Sequence, residues 1–502
     1  MPSVCFYFQV HQPYRLRNYS IFDIGNRSDY FDDAKNFQIT RKVADKCYLA
    51  ANAVIYDLIK KHKGAFRVSY SITGVALEQF EKYAPEVIES FVRLAETGCV
   101  EFVNETYYHS LSYLYSKAEF KEQITMHRKK IEQLFKQTPV VFRNTELIFS
   151  DEIARFIESL GFKAVLIEGA DSILDWRSPH FVYHVPNTKV ALLLRSYKLS
   201  DDISFRFSNK DWNEYPLTAD KFTKWVSAVN GNGVVINLFM DYETFGEHQW
   251  QATGIFEFLK ALPESILKNK DNNFLTVSEV VEKYPPISEL NIPNFISWAD
   301  MERDLSAWLG NRMQINAAET LYKMEMQVKR TKDKQLLEDW RRLTTSDHYY
   351  YMCTKWFSDG DVHKYFNPYE SPYEGFISFM NVLNDMRTRI LTSKKEEEMA
   401  KKIVSKQSPK STAKLPETKI KEVPVEKSFF LQDGRILRTL KDLKDTLDTM
   451  DDSIFYHHVS LDRNDFANWV RDVFKLPDLA VKIANAGNQA ETKKAISNYL
   501  SK

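Results

Sequence analysis

The chain has 502 residues, with 68 basic and 68 acidic side chains, so its formal net charge is zero. With 44 % hydrophobic and 14 % aromatic content it can bury a large core, enough for two to four domains. Such a balance describes a globular protein and asks for neither nucleic acid nor an anionic membrane as partner.

The four cysteines, Cys5, Cys47, Cys99 and Cys353, form no Cys-x-x-Cys pair, and Cys5 and Cys99 sit in apolar runs. Buried free thiols in a reducing compartment are expected. The N-terminal apolar stretch Val4 to Val10 is too short for a cleavable signal, and no run of 18 apolar residues occurs. These features predict a soluble, cytoplasmic protein.

Seven strand-like segments come first, at roughly 3–10, 66–72, 99–103, 140–144, 163–168, 190–196 and 233–240. Polar residues collect at their downstream ends. Amphipathic helical stretches separate most of them, such as Pro85 to Thr97, with Pro at a first helical position and Gly98 as a C-cap. Alternating strands and helices predict a parallel sheet, and polar groups gathered at strand C-termini favour a (β/α) barrel over an open doubly wound sheet. From about 290 helical spacing takes over, through Leu305, Trp308 and Leu309, then 317–330 and 336–351.

The division expected is therefore a catalytic barrel over 1–290 and a helical domain over 291–392. A tether at 393–427 follows; its stretch from 394 has no aromatics, ten lysines and the prolines Pro409, Pro416 and Pro424. A small helical module over 428–502 ends the chain, with Leu440, Leu443 and Leu447 on one face and Phe455, Phe466 and Trp469 as its core.

The most informative stretch is 237–250, NLFMDYETFGEHQW. An apolar strand turns polar abruptly, bringing Asp241 and Glu243 two residues apart among Tyr242, Phe245, His248 and Trp250. Two residues apart on a strand means one face. Acid chemistry beside aromatic rings suggests a sugar site. Glu146 ends the fourth strand and offers the second carboxylate that glycosidic hydrolysis requires, with Arg143 placed to keep it ionised if the two point together. Each of these carboxylates has an ordinary reading as a cap or surface group. Glu101 is a charge inside an apolar strand, where a carboxylate persists only when paired or functional. His11 follows the first strand with no metal-binding spacing nearby, so a hydrogen bond to a sugar hydroxyl is expected of it and no metal. Trp298 and Trp308 either pack the helical region onto the barrel or stack on sugar.

Five ordered motifs carry a resemblance: His11-Gln12-Pro13, Val100-Glu101-Phe102, Arg143-Asn144-Thr145-Glu146, Met240 to Gly246, and Asp304 to Asn311. In this order over about residues 1–385 they resemble the conserved regions of glycoside hydrolase family 57, especially its α-amylase-like members. Stretches 200–207 and 346–351 are similar to that subgroup as well.

The resemblance implies an incomplete (β/α)7 barrel with a helical domain behind it, and retention of configuration on α-1,4-glucans such as glycogen, starch and maltodextrin, with no metal and no cofactor. It implies Glu146 as nucleophile and Asp241 as general acid/base. His11, Glu101 and Glu243 would line the sugar subsite, with Arg143 and Trp308 as further substrate contacts. Many transferases of the family have tryptophan where this chain has Arg143. Alternatives at this stage are a 4-α-glucanotransferase or branching enzyme using the same two acids, a weakly active or non-catalytic glucan-binding protein, and a metal-dependent polysaccharide deacetylase. Oligomeric state, the tether and the terminal module carry no assignment.

Overall fold

A computed structural model describes residues 2–355, 367–407, 422–424, 427–460, 463–486 and 488–501. The strands are β1 (Ser3–Val10), β2 (Val68–Ile72), β3 (Val100–Phe102), β4 (Val141–Arg143), β5 (Ala164–Glu168), β6 (Val182–His184), β7 (Ala191–Arg195), β8 (Val235–Asp241) and β9 (Asn273–Phe274). Seven of them run in the order β3-β2-β1-β8-β7-β5-β4, all parallel. These are the seven segments that the apolar runs predict. β6 adds antiparallel to β7, and β9 pairs with the start of β1; being only three and two residues long, they leave little periodic signal. The outer strands β3 and β4 meet through a single bridge, Asn104 to Phe142, so the seven-stranded barrel is an incomplete one.

Alternation along each strand sorts side chains between two environments. Phe6, Phe8, Tyr70, Phe102, Leu238 and Met240 pack outward against helices in one cluster, and Phe142, Val165, Ile167, Leu192 and Leu194 in another. Cys5, Tyr7, Val103, Val141, Leu166, Leu193, Val235 and Phe239 fill the interior. Continuing the interior parity towards the C-terminal ends gives Gln9, Ser71, Glu105, Arg143, Glu168, Arg195 and Asp241. The barrel is apolar at its floor and polar at its mouth.

The helical region is stitched to that mouth. Phe149 and Ile296 exchange backbone hydrogen bonds, Ser110 bridges Thr345, and Trp308 and Trp340 are buried in the shared core. Residues 1–399 form one compact unit and 400–502 the other. A helix from Pro372 to Gln407 continues into the span assigned to the tether, whose lysine-rich lead-in suits a helix when no proline interrupts it before Pro409. Positions 408–421 and 425–426 of that span lie outside the described residues. In the second unit Leu440, Leu443, Leu447, Phe455, Phe466 and Trp469 share one core, as their spacing predicts.

Beyond β8 the chain turns at Gly246, whose φ of 115° suits glycine alone. A Cβ there would lie 2.0 Å from the Lys46 carbonyl oxygen. Gly246→Ala is expected to lower stability by about 2–4 kcal/mol in urea unfolding, because both the dihedral and the contact must be relieved; an unchanged midpoint would show that this turn does not fix the loop.

Candidate active site

A cavity of about 670 Å³ opens at the C-terminal end of the barrel. Glu146, Asp241, Glu243, His11 and Trp308 all line it, so five of the sequence-derived candidates converge. Asp241 ends β8, and Tyr242–Thr244 then winds into a 3-10 turn, so strand alternation is not what brings Glu243 to the same cavity. The turn does it, while Tyr242 packs into the core between. Glu243 is held from behind by Tyr48 and by Gln12, whose Nε2 lies 3.4 Å from the same Oε1. Tyr48 reaches it from a π-helical turn at Ala44–Tyr48, a local irregularity that often marks functional positions.

Glu146 follows β4 in a left-handed conformation, φ 56°, and Leu147 repeats it at 52°. Two such residues without glycine are strained, and partners on both sides hold them. The Glu146 carbonyl accepts the Trp298 backbone N–H at 3.2 Å. Its carboxylate accepts His109 Nε2–H on Oε1 at 2.9 Å and the Trp298 indole N–H on Oε2 at 2.6 Å. His109 donates its other nitrogen, Nδ1, to Glu105 at 3.2 Å, and Glu105 also accepts Gln9 Nε2–H at 3.0 Å. The result is a buried chain, Gln9–Glu105–His109–Glu146–Trp298.

The charges follow from these contacts. Burial disfavours a charged His109, but its bonds to Glu105 and Glu146 outweigh this and raise it to about 9. Burial also opposes ionisation of Glu105 and Glu146; hydrogen bonds and charge from His109, with Arg143 adding, win and lower them, Glu105 to about 2. Asp241 goes the other way, raised to about 6 by burial first and by the Glu146 charge next. Burial first, and the Asp241 charge next, push Glu243 up to about 8.

His11 stacks on His109 with ring centroids 4.0 Å apart. Its Nε2 lies 2.9 Å from Asp347 Oδ2 and its Nδ1 3.0 Å from Thr73 Oγ1. Burial and the neighbouring imidazolium lower its pKa, which suits a neutral ring donating to Asp347 and accepting from Thr73. One ligand-capable atom each of His11, His109 and Asp347 falls within 4.8 Å of the others, a grouping that sequence spacing does not suggest. Both ring nitrogens of His109 are already engaged by carboxylates, Nδ1 by Glu105 and Nε2 by Glu146. The donor set suits a hydrogen-bonded assembly better than a metal centre.

Two candidates lie elsewhere. Glu101 does not reach the cavity: its Oε2 accepts the Ser278 N–H at 2.9 Å and hydroxyl at 3.0 Å, at the start of the helix Val277–Lys283. Glu101 and Glu105 share the interior parity, but four residues of strand is about 13 Å, which separates barrel floor from mouth. Arg143 is fully buried beneath the cavity, its guanidinium 4.9 Å from the Trp298 ring. It acts on Glu146 through space and makes no cavity wall. Trp308 lines the cavity from the core, only 1 % exposed, so the tryptophan that grips the nucleophile is Trp298.

Sequence alone does not single out Glu105, His109 or Arg195, and it offers Trp298 only as one of two tryptophans and Asp347 only within the stretch 346–351. Glu105 and Arg195 do stand at the downstream ends of strands, a usable signal, whereas His109 from the loop after β3 and Asp347 from the helix Ser346–Tyr350 arrive through tertiary contacts that sequence does not encode. Arg195 donates Nε–H to the Phe239 carbonyl at 2.7 Å and pairs with Glu168 at 3.1 Å and with Asp201, which fastens β7 to the mouth.

Two carboxylates on one cavity of a (β/α) barrel, one lowered and one raised from the ordinary range, are the arrangement that glycosidic hydrolysis requires. The profile of Glycosyl hydrolase family 57 matches residues 5–293. A Methanocaldococcus jannaschii protein provisionally named alpha-amylase is 45 % identical over 395 residues, 76 % of this chain and 83 % of its own length. Among solved structures, the alpha-amylase AmyC from Thermotoga maritima superposes with a TM-score of 0.54 at 14 % identity, over 79 % of this chain and 95 % of that one. The 4-alpha-glucanotransferase from Thermococcus litoralis gives 0.53 at 16 % identity over 69 % of this chain, which spans only 56 % of it. The chain belongs to glycosyl hydrolase family 57.

His109 also makes stability depend on pH. Its folded value, about 9, exceeds its unfolded value, 6.5, so the stabilisation is full below about 6.5 and is lost as pH rises through about 9. Urea midpoints of the wild type should fall across this window, and those of His109→Gln should lose that part of the slope. Parallel slopes in the two proteins would contradict a charged His109.

Proposed function

We propose that this retaining α-glucan hydrolase uses Glu146 as nucleophile and Asp241 as general acid/base. The observation that carries the assignment is the divergence of two carboxylates lining one cavity, Glu146 lowered and Asp241 raised to about 6. Protonated Asp241 gives its proton to the glycosidic oxygen as a Glu146 oxygen bonds to the anomeric carbon and the C–O bond to the leaving chain breaks. Departure of the leaving sugar admits water. Asp241, now a carboxylate, takes a proton from that water as it displaces Glu146, which restores both groups. The Trp298 and His109 N–H groups hold the nucleophile so that it attacks in one orientation. His11 and Glu243 are placed to bond the hydroxyls of the sugar being cleaved.

Family membership and the alpha-amylase name of the 45 % identical relative support α-1,4-glucans as substrate. Four buried free cysteines support a reducing, cytoplasmic setting, and among the described residues no helix is long and apolar enough to cross a membrane. Release of reducing ends from maltodextrin, as against redistribution of chain lengths, separates hydrolysis from transfer.

Glu146→Ala and Asp241→Ala should each lower turnover on maltodextrin by at least about 10³-fold. Azide should restore Glu146→Ala with a glycosyl azide of inverted configuration. Wild-type rates in either variant would sink the assignment.

The pH profile is a separate check. Activity needs Glu146 ionised, so its acid limb lies below the usual carboxylate range, and Asp241 protonated, so it falls as pH rises through about 6. The profile of kcat/KM should therefore have its maximum on the acid side of about 6; a plateau extending from pH 6 to 8 would exclude Asp241 as the acid.

A further inference from the structure

Three neighbouring strands each send one aromatic ring into water on the face where the cavity opens. β8, β7 and β5 lie side by side in the sheet. The segments leaving their C-terminal ends carry Trp250, Phe205 and Trp176, exposed by 64 %, 61 % and 86 %. Single exposed apolar residues are common. Here, though, Phe205 lines the cavity itself, and Trp250 and Trp176 follow the two strands that flank its own.

Backbone and side-chain bonds tie these rings to the cavity wall. Phe205 lines the cavity. Gln249 Nε2 donates to the Ser204 carbonyl at 2.8 Å, which joins the residue before Trp250 to the residue before Phe205. On the other flank Arg303, a cavity residue, lies 5.0 Å over the Tyr197 ring, and the Tyr197 hydroxyl donates to Asp171 at 2.7 Å. Asp171 opens the turn Asp171–Leu174 that ends in a left-handed Asp175, with Arg177 N–H bonded to the Leu174 carbonyl at 2.8 Å. Trp176 projects from this fixed turn. A ring on a rigid loop loses little entropy when a ligand covers it.

We propose that Trp250, Phe205 and Trp176 form a stacking track for a glucan chain running past the cavity, so that polymers are held at points that short oligosaccharides do not reach. The flat apolar faces of glucosyl rings match exposed aromatic planes, and the Arg177 guanidinium, 5.3 Å from the Trp176 ring centroid, stands beside that ring as a donor for the hydroxyls. The track rests on the α-glucan reading above.

The test compares glycogen with maltotriose for the full chain and for Trp176→Ala, Trp250→Ala and Trp176→Phe. Each alanine variant should lower kcat/KM on glycogen by about fivefold, through KM, with maltotriose changed less than about twofold. Trp176→Phe should recover most of the loss. Equal losses on both substrates, or none on glycogen, overturn the track. Wild-type protein inert on both substrates overturns the α-glucan hydrolase reading instead. Retardation in a glycogen-containing native gel then decides the track by itself: it holds if the wild type is retarded and the alanine variants are not, and fails otherwise.

Discussion

A carboxylate that attacks carbon must carry charge in a place from which most water has been removed, and burial works against this. Here the imidazolium of His109 resolves the conflict by standing between Glu105 and Glu146 and bonding both. Each of the three groups is tolerable only because the others are charged. Deleting one leaves a buried ion unpaired, which is costlier than never having buried it. The same chain bears on Asp241, which is raised by burial first and by the ionised Glu146 next.

That arrangement needs a backbone that no isolated barrel loop would adopt. His109, Glu146 and Leu147 all have positive φ without being glycine. The helical region supplies the restraint: the Ser346 N–H bonds the His109 carbonyl at 2.8 Å, and the Trp298 N–H bonds that of Glu146. Asp347, one residue on, holds His11. The helices behind the barrel therefore complete the site as well as covering it, and both belong to the compact unit of residues 1–399.

Around the mouth the interior parity yields Glu105, Asp241, Arg195, Glu168 and Arg143, acids and bases nearly balanced. Arg143 is unusual among them, since none of its three guanidinium nitrogens has a hydrogen-bond partner among the described residues. Its influence is a through-space one on Glu105, Glu146 and Asp241, strong because the surroundings are dry. Stacking against Trp298 then joins the cation below the cavity to the indole that bonds the nucleophile.

The seven parallel strands, the polar C-terminal mouth and the Glu146 and Asp241 candidates were legible in the sequence, because apolar runs and their abrupt polar ends are local signals. Glu101 was misplaced although it has the right parity, because parity says which way a side chain points and is silent on depth along the barrel. Spacing likewise leaves Trp298 and Trp308 equivalent, since it does not show which indole N–H faces a carboxylate. His109, Asp347 and Trp298 reach Glu146 and His11 across separations of 37, 336 and 152 residues. The amino-acid sequence by itself determined which residues lie at strand ends and in which alternation. Only the tertiary structure decided which of them meet and which are charged, since ionisation of a buried group depends on distances of a few ångströms that barrel closure and helix docking set together.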